Sequence, residues 1–166
     1  MDISNIDIIW MVDFTGRINT MSMSSDGSSI VCGFNDKKVI ILNSRKGEEM
    51  YRKQYEYNVR STSISNDCAH VVYACNDHKV SMLDIRTGKE LWTVECEGWI
   101  NTTSISPDNS NVVCGRLDNK VTMLNAITGE ELWTVMCKGH VFTTSISPDG
   151  AYVICGGFDK KVSMLV

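Results

Sequence analysis

The sequence predicts an all-β fold, a tandem array of four-stranded antiparallel units. Three observations carry this. Asp36, Asp77, Asp118 and Asp159 stand 41 residues apart, and Lys38, Lys79, Lys120, Lys161 and Leu42, Leu83, Leu124, Leu165 keep the same step without slippage. Residues 60–100 and 101–141 share 21 identities over 41 positions, more than common composition gives, so one unit has been repeated. Within each unit, short apolar stretches are broken by Gly, Pro, Asn, Asp and Ser roughly every 8–12 residues, and no helical period is present.

In chain order, residues 7–14 (Asp7 to Phe14) read as an isolated strand. Its phase is that of the last strand of a unit, because Trp10 lies one period before Tyr51, which is followed at the same step by Trp92 and Trp133. The first full unit starts with the alternating stretch Ile18 to Ser24, strand a, closed by the turn residues Ser25-Asp26-Gly27. Ser29 to Gly33 is strand b, Lys38 to Leu42 strand c, and Glu49 to Tyr55, after the turn Arg45-Lys46-Gly47, strand d. The second unit repeats this as 61–65, 71–74, 79–83 and 90–96, and the third as 102–106, 111–115, 120–124 and 131–137. The fourth supplies 142–147, 151–156 and 161–166, with a, b and c but no d. The domain is thus a single one over residues 1–166, with repeats 19–59, 60–100, 101–141 and 142–166 plus strand 7–14. Both prolines, Pro107 and Pro148, fall in the a-to-b turn, where a missing N–H is tolerated.

A chain of 166 residues with 43% hydrophobic and 22% charged residues can bury a core of ordinary size. The apolar run Ile8 to Val12 is too short to span a bilayer and Met1-Asp2 offers no basic leader, so the expectation is a cytoplasmic protein without a membrane segment. The seven cysteines are odd in number, and Cys32, Cys114 and Cys155 occupy equivalent repeat positions too far apart to bridge, so they read as free, buried thiols. A net charge of −4 with no basic stripe argues against nucleic acid as a partner.

A four-stranded unit of this length matches the blade of a β-propeller. The phrases Ser104-Ile105-Ser106-Pro107-Asp108 and Ser145-Ile146-Ser147-Pro148-Asp149-Gly150 resemble WD-repeat blades. The chain departs from that family at the end of strand c, where Leu83-Asp84, Leu42-Asn43, Leu124-Asn125 and Leu165-Val166 replace Trp-Asp, and the Gly-His pair survives only at Gly139-His140. The usual hydrogen-bond network of WD repeats therefore cannot form. The c-to-d segment Leu83 to Trp92, with its Thr87-Gly88-Lys89-Glu90-Leu91-Trp92 phrase, is similar to the tryptophan-docking motif of quinoprotein propellers, in which the strand d indole packs on the adjacent blade. A flat ring with one N–H suits that wedge, so the motif implies blade packing and does not by itself imply a quinone.

The initial strand d and the terminal a, b and c add up to one blade, giving four blades per chain. Two closures satisfy the open edge of the last strand c. Residues 7–14 can complete the fourth blade of their own chain in a four-bladed monomer, or that of a second chain in an eight-bladed two-fold homodimer, formed by strand exchange at the ring closure. The dimer is the expected form.

No catalytic or metal constellation is apparent. His70, His78 and His140 fall in different phases of the repeat and no Ser-rich stretch carries a nucleophile-elbow phrase. The Asp36/77/118/159 and Lys38/79/120/161 set reads as turn caps with solvated lysines. Recurring positions maintain the blade, whereas those that differ between repeats are free to specialise. In the d-to-a loop and near the b-to-c turn the differing residues include Arg17, Arg60, Trp99, Arg116, His140 and Phe142, which are expected to gather on one face and bind a protein or peptide. The reading is a non-catalytic scaffold that needs no cofactor. The competing readings are a quinone-dependent dehydrogenase, suggested by the Trp phrase, and a piece of a longer amplified propeller with no separate role.

Overall fold

The computed structural model describes residues 7–166 and contains fifteen strands. Met1-Asp2, on which the expectation of no leader rests, lies outside the described residues. The first sheet is β1 (Ile18–Met23), β2 (Ser29–Phe34), β3 (Lys38–Asn43) and β4 (Glu49–Gln54). The second is β5 (Val59–Ile64), β6 (His70–Cys75), β7 (Lys79–Asp84) and β8 (Glu90–Glu95). The third is β9 (Ile100–Ile105), β10 (Asn111–Arg116), β11 (Lys120–Asn125) and β12 (Glu131–Met136). The last holds only β13 (Val141–Ile146), β14 (Val153–Gly157) and β15 (Val162–Leu165). Each sheet is an antiparallel meander in chain order, as a blade requires.

The inner strands β1, β5, β9 and β13 stand side by side. They are stitched by short polar side chains: Ser61 Oγ accepts from the Thr103 amide at 2.9 Å and Thr20 Oγ1 from the Thr62 amide at 3.2 Å. The core lies between the blades. Val31, Val39 and Ile41 of the first meet Val59, Val71 and Leu83 of the second, and Val113 and Val121 of the third meet Val141 and Val153 of the fourth. Each blade buries one face forward and one face backward, which is why its strands carry apolar residues at consecutive positions rather than strict alternation.

The strand d aromatic locks adjacent blades. Trp92 donates its indole N–H to the Ala126 carbonyl at 2.8 Å and Tyr51 donates its hydroxyl to the Gly88 carbonyl at 3.4 Å. These rings lie over the glycine of the next c-to-d turn, where φ is +69° at Gly88 and +76° at Gly129. The turn therefore requires glycine twice, for its left-handed backbone and for the room the ring needs.

The strand expected over residues 7–14 does not form, since these residues join no β-ladder. A strand needs an edge to pair with, and the free edge, β15, lies at the other end of the array. The segment instead lies against the first blade, Trp10 and Phe14 packing with Cys32, Phe34, Ile40 and Leu42. Closure of a four-bladed ring by the chain's own residues 7–14 is not adopted.

The a-to-b turns repeat one device. Ser24, Ser65, Ser106 and Ser147 each donate a hydroxyl to the Asp two residues on, and that carboxylate accepts the backbone N–H of Ser28, Ala69, Ser110 or Ala151. The serine hydroxyl, followed by the Ser110 hydroxyl and amide, holds Asp108 down to about 2, and the same serine bond is the first cause of a lowered pKa at Asp26, Asp67 and Asp149. A carboxylate with a depressed folded pKa stabilises above its unfolded value and loses that contribution as pH falls through the folded one. Thermal unfolding is therefore expected to be flat above about pH 4 and to drop between about pH 4 and 2, with a smaller drop in Ser106→Ala.

The fourth residue of the same turn is left-handed in every repeat, at Gly27, Cys68, Asn109 and Gly150. Cys68 at φ 60° carries a side chain where two repeats use glycine. Cys68→Gly is expected to raise the unfolding free energy by about 0.5–1 kcal/mol in urea melts, from relief of a left-handed strain of about 1–2 kcal/mol against the greater chain entropy of glycine.

Candidate binding face

The d-to-a loops and b-to-c turns lie together at one end of the blades. In every repeat a backbone bond ties them: Asn35 to Arg17, Asn76 to Asn58, Leu117 to Trp99 and Phe158 to His140, each amide donating to the loop carbonyl at 2.9–3.0 Å. The varying residues thus fall on one face, in three groups.

The first group is a polar cavity of about 350 Å³ lined by Arg17, Asn19, Asn58, Arg60, Asn76 and Asn101. Asn101 Oδ1 accepts from Arg60 Nη2 at 3.0 Å, and Asn76 Oδ1 accepts from Nη1 at 3.4 Å. Asn19 and Asn101 reach across to the next blade, donating to the Val59 and Phe142 carbonyls at 2.9 and 3.0 Å. Amide groups, with no acid in the lining, hold the Arg60 guanidinium in place and leave its positive charge available.

The second group is Trp99, half exposed and edge-on to His78 with ring centroids 5.9 Å apart. The third is His140 and Phe142, both packed against Phe158 at 6.0 and 6.5 Å. Arg116 belongs to none of them. It is 4% exposed, its Nη2 ion-paired with Asp118 at 2.5 Å and its Nη1 donating to Thr122 Oγ1 at 3.2 Å. The expectation that Arg116 faces a partner is corrected: the position closes strand b against the neighbouring blade, where Phe34 and Cys75 are also buried. The signal available in the sequence was that Phe34 aligns with it. The varying position expected to face outward is that of Phe34, Cys75, Arg116 and Gly157, one residue before Asn76 and Phe158, which are the ones that reach this face. His78 stands out in the sequence only as a candidate metal ligand.

A larger concavity of about 650 Å³ opens between the first two blades, lined by Tyr55, Tyr73, Cys75, Ser81, Glu90 and Thr93 among others. It exists because Cys75 and Ser81 stand where the first blade has Phe34 and Ile40 and the third Arg116 and Thr122. Inside it Tyr73 donates to Glu90 Oε1 at 2.5 Å and packs tilted against Tyr55, with ring centroids 4.7 Å apart. Burial opposes ionisation of Glu90, but hydrogen bonds from Lys53 and Tyr73 outweigh it and leave the carboxyl below its usual range.

Cross-blade thiols follow the same rule as the tyrosines. Tyr55 and Tyr73, then Cys137 and Cys155 two repeats on, meet at the same inter-blade position, the last two with sulfurs 4.0 Å apart. Burial, with the neighbouring Cys137, pushes Cys155 up to about 11.

A meander of four-stranded blades locked by strand d aromatics defines a β-propeller repeat protein of the quinoprotein type. Residues 2–106 and again 76–164 match the family described as outer membrane protein assembly factor BamB (PQQ_2), and the chain belongs to this family. No curated protein matches the chain.

Proposed function

We propose that the chain is a non-catalytic β-propeller scaffold that binds a protein or peptide through the face bearing Arg17, Arg60, Trp99, His140 and Phe142. The bound segment presents a carboxylate to the cavity between Arg17 and Arg60. The observation that carries this reading is the composition of that cavity, two guanidinium-bearing residues and four asparagines without an acid. A planar guanidinium pre-oriented by amides matches a carboxylate bidentately and loses little freedom on binding. The half-exposed Trp99 and Phe142 beside it are of the type that anchors interfaces. The matched family is described as an assembly factor, which fits recognition of other polypeptides.

A quinone dehydrogenase is the less favoured reading. Trp92 of the suggestive phrase is engaged in blade docking. Among the described residues no three His, Cys, Asp or Glu side chains gather into a metal-binding set. Kinship with WD repeats rests on the Ser-Pro-Asp turns and the turn Asp before strand c. A cytoplasmic setting is supported by the seven cysteines, all of them free thiols.

The test is a peptide array read by fluorescence anisotropy. Peptides rich in Asp and Glu are expected to bind better than their Asn and Gln counterparts, and Arg17→Ala with Arg60→Ala to weaken them about tenfold or more, corresponding to 1.4 kcal/mol. Equal binding of acidic and amide peptides would sink the reading.

A further inference from the structure

We infer that two copies of this chain close into a single eight-bladed ring, residues 7–14 of each supplying the fourth strand to the last blade of the other. This goes beyond the binding role and does not depend on it.

The evidence is the difference between end blades and inner ones at equivalent positions. Val39, Val80 and Val121 are 0% exposed, and Val162 is 82% exposed. Ile154 and Met164 are exposed, although Val31, Val72, Val113 and Ile41 at their positions are fully buried. At the other end Val59 and Ile100 are 0% exposed, and Ile18 is 39% exposed. The forward face of the last blade and the rear face of the first thus keep the residues of an inter-blade core and lack the blade that would cover them. They are also the two halves of one contact: Val113 and Val121 meet Val141 and Val153 in the third interface, and one repeat on this becomes Ile154 and Val162 against Ile18 and Ile30.

The strand that would finish the last blade is already seated for the task. Trp10 donates to the Ser44 carbonyl at 2.7 Å and lies over Gly47, as Trp92 does with Ala126 and Gly129. Phe14 packs on the first blade where Tyr55 packs on the second. Residues 7–14 therefore hold the position of a strand d relative to the blade after them and have no blade of their own. The last blade has an unpaired β15 edge and no strand d among the described residues. A second copy matches both defects, since one copy offers both the missing strand and the covering face. Related by a two-fold axis, the same pair of faces meets twice and no sheet edge remains open.

Light scattering coupled to size exclusion of the 166-residue chain reads this directly. The expected mass is twice the 18.5 kDa of one chain. Val162→Glu and Trp10→Ala are each expected to give single chains with an unchanged far-ultraviolet β spectrum, since in one chain Val162 is solvated and Trp10 belongs to a segment that joins no β-ladder. A wild-type mass of one chain, an open polymer series, or a dimer that survives both substitutions would overturn the inference.

Discussion

Gly129→Val is expected to lower the unfolding free energy by about 2–5 kcal/mol. Two costs add. At φ +76° a β-branched residue meets a left-handed strain of about 1–2 kcal/mol. Its Cβ would also fall 2.9 Å from Trp92 Cδ2, so the docked indole must shift, an overpacking cost of about 1–3 kcal/mol. For a chain of this size that is a fall in Tm of roughly 5–15 °C. Gly150→Val separates the two, because its φ is +74° and nothing lies within 4 Å of the added Cβ. It is expected to show the backbone cost alone. If both variants melt together, the aromatic lock between blades contributes nothing, and the quinoprotein-type packing described above is wrong.

Arg116→Ala is the second large effect. The guanidinium pairs with Asp118, whose side chain is three-quarters covered, and removing it leaves a carboxylate with little water and no cation beside it. Breaking a buried pair costs about 3–5 kcal/mol, and the partial exposure of Asp118 puts this one near the lower end, about 3 kcal/mol. Arg116→Met with Asp118→Asn, which removes both charges and keeps the volume, is expected to recover most of the loss in urea melts. Peptide binding at the Arg17–Arg60 cavity, measured below the unfolding transition, should be unchanged in both. A loss of binding with unchanged stability would return Arg116 to the interaction face.

These variants mark where the sequence was legible. The 41-residue step gave the blades, the turn chemistry and the docking role of Trp92, because each depends on contacts that recur in every repeat. Variation between repeats points to the surface, and Arg116 varies without lying there. A slot between blades can also vary, provided what fills it changes together with its neighbours, as Phe34 with Phe14 and Cys75 with Tyr55. Thiols at equal phase never meet, whereas Cys137 and Cys155, which do touch, sit 18 residues apart across a blade boundary. Residues 7–14 have the sequence of a strand and join no ladder, since the first blade they lie against already holds its four strands, β1 to β4. The cavity around Arg60 depends on Asn76, a residue with no distinction in the sequence beyond its place in a turn.

Completion of the ring by a second copy is tested most directly by its register. Val39 pairs with Lys53, Val80 with Val94 and Val121 with Val135, so one repeat on Val162 of one copy should pair with Val12 of the other. Chains carrying Val12→Cys and chains carrying Val162→Cys, mixed and oxidised, are expected to give a covalent dimer on a non-reducing gel that neither variant gives alone. No new band in the mixture, or the same band from either variant alone, would contradict the account.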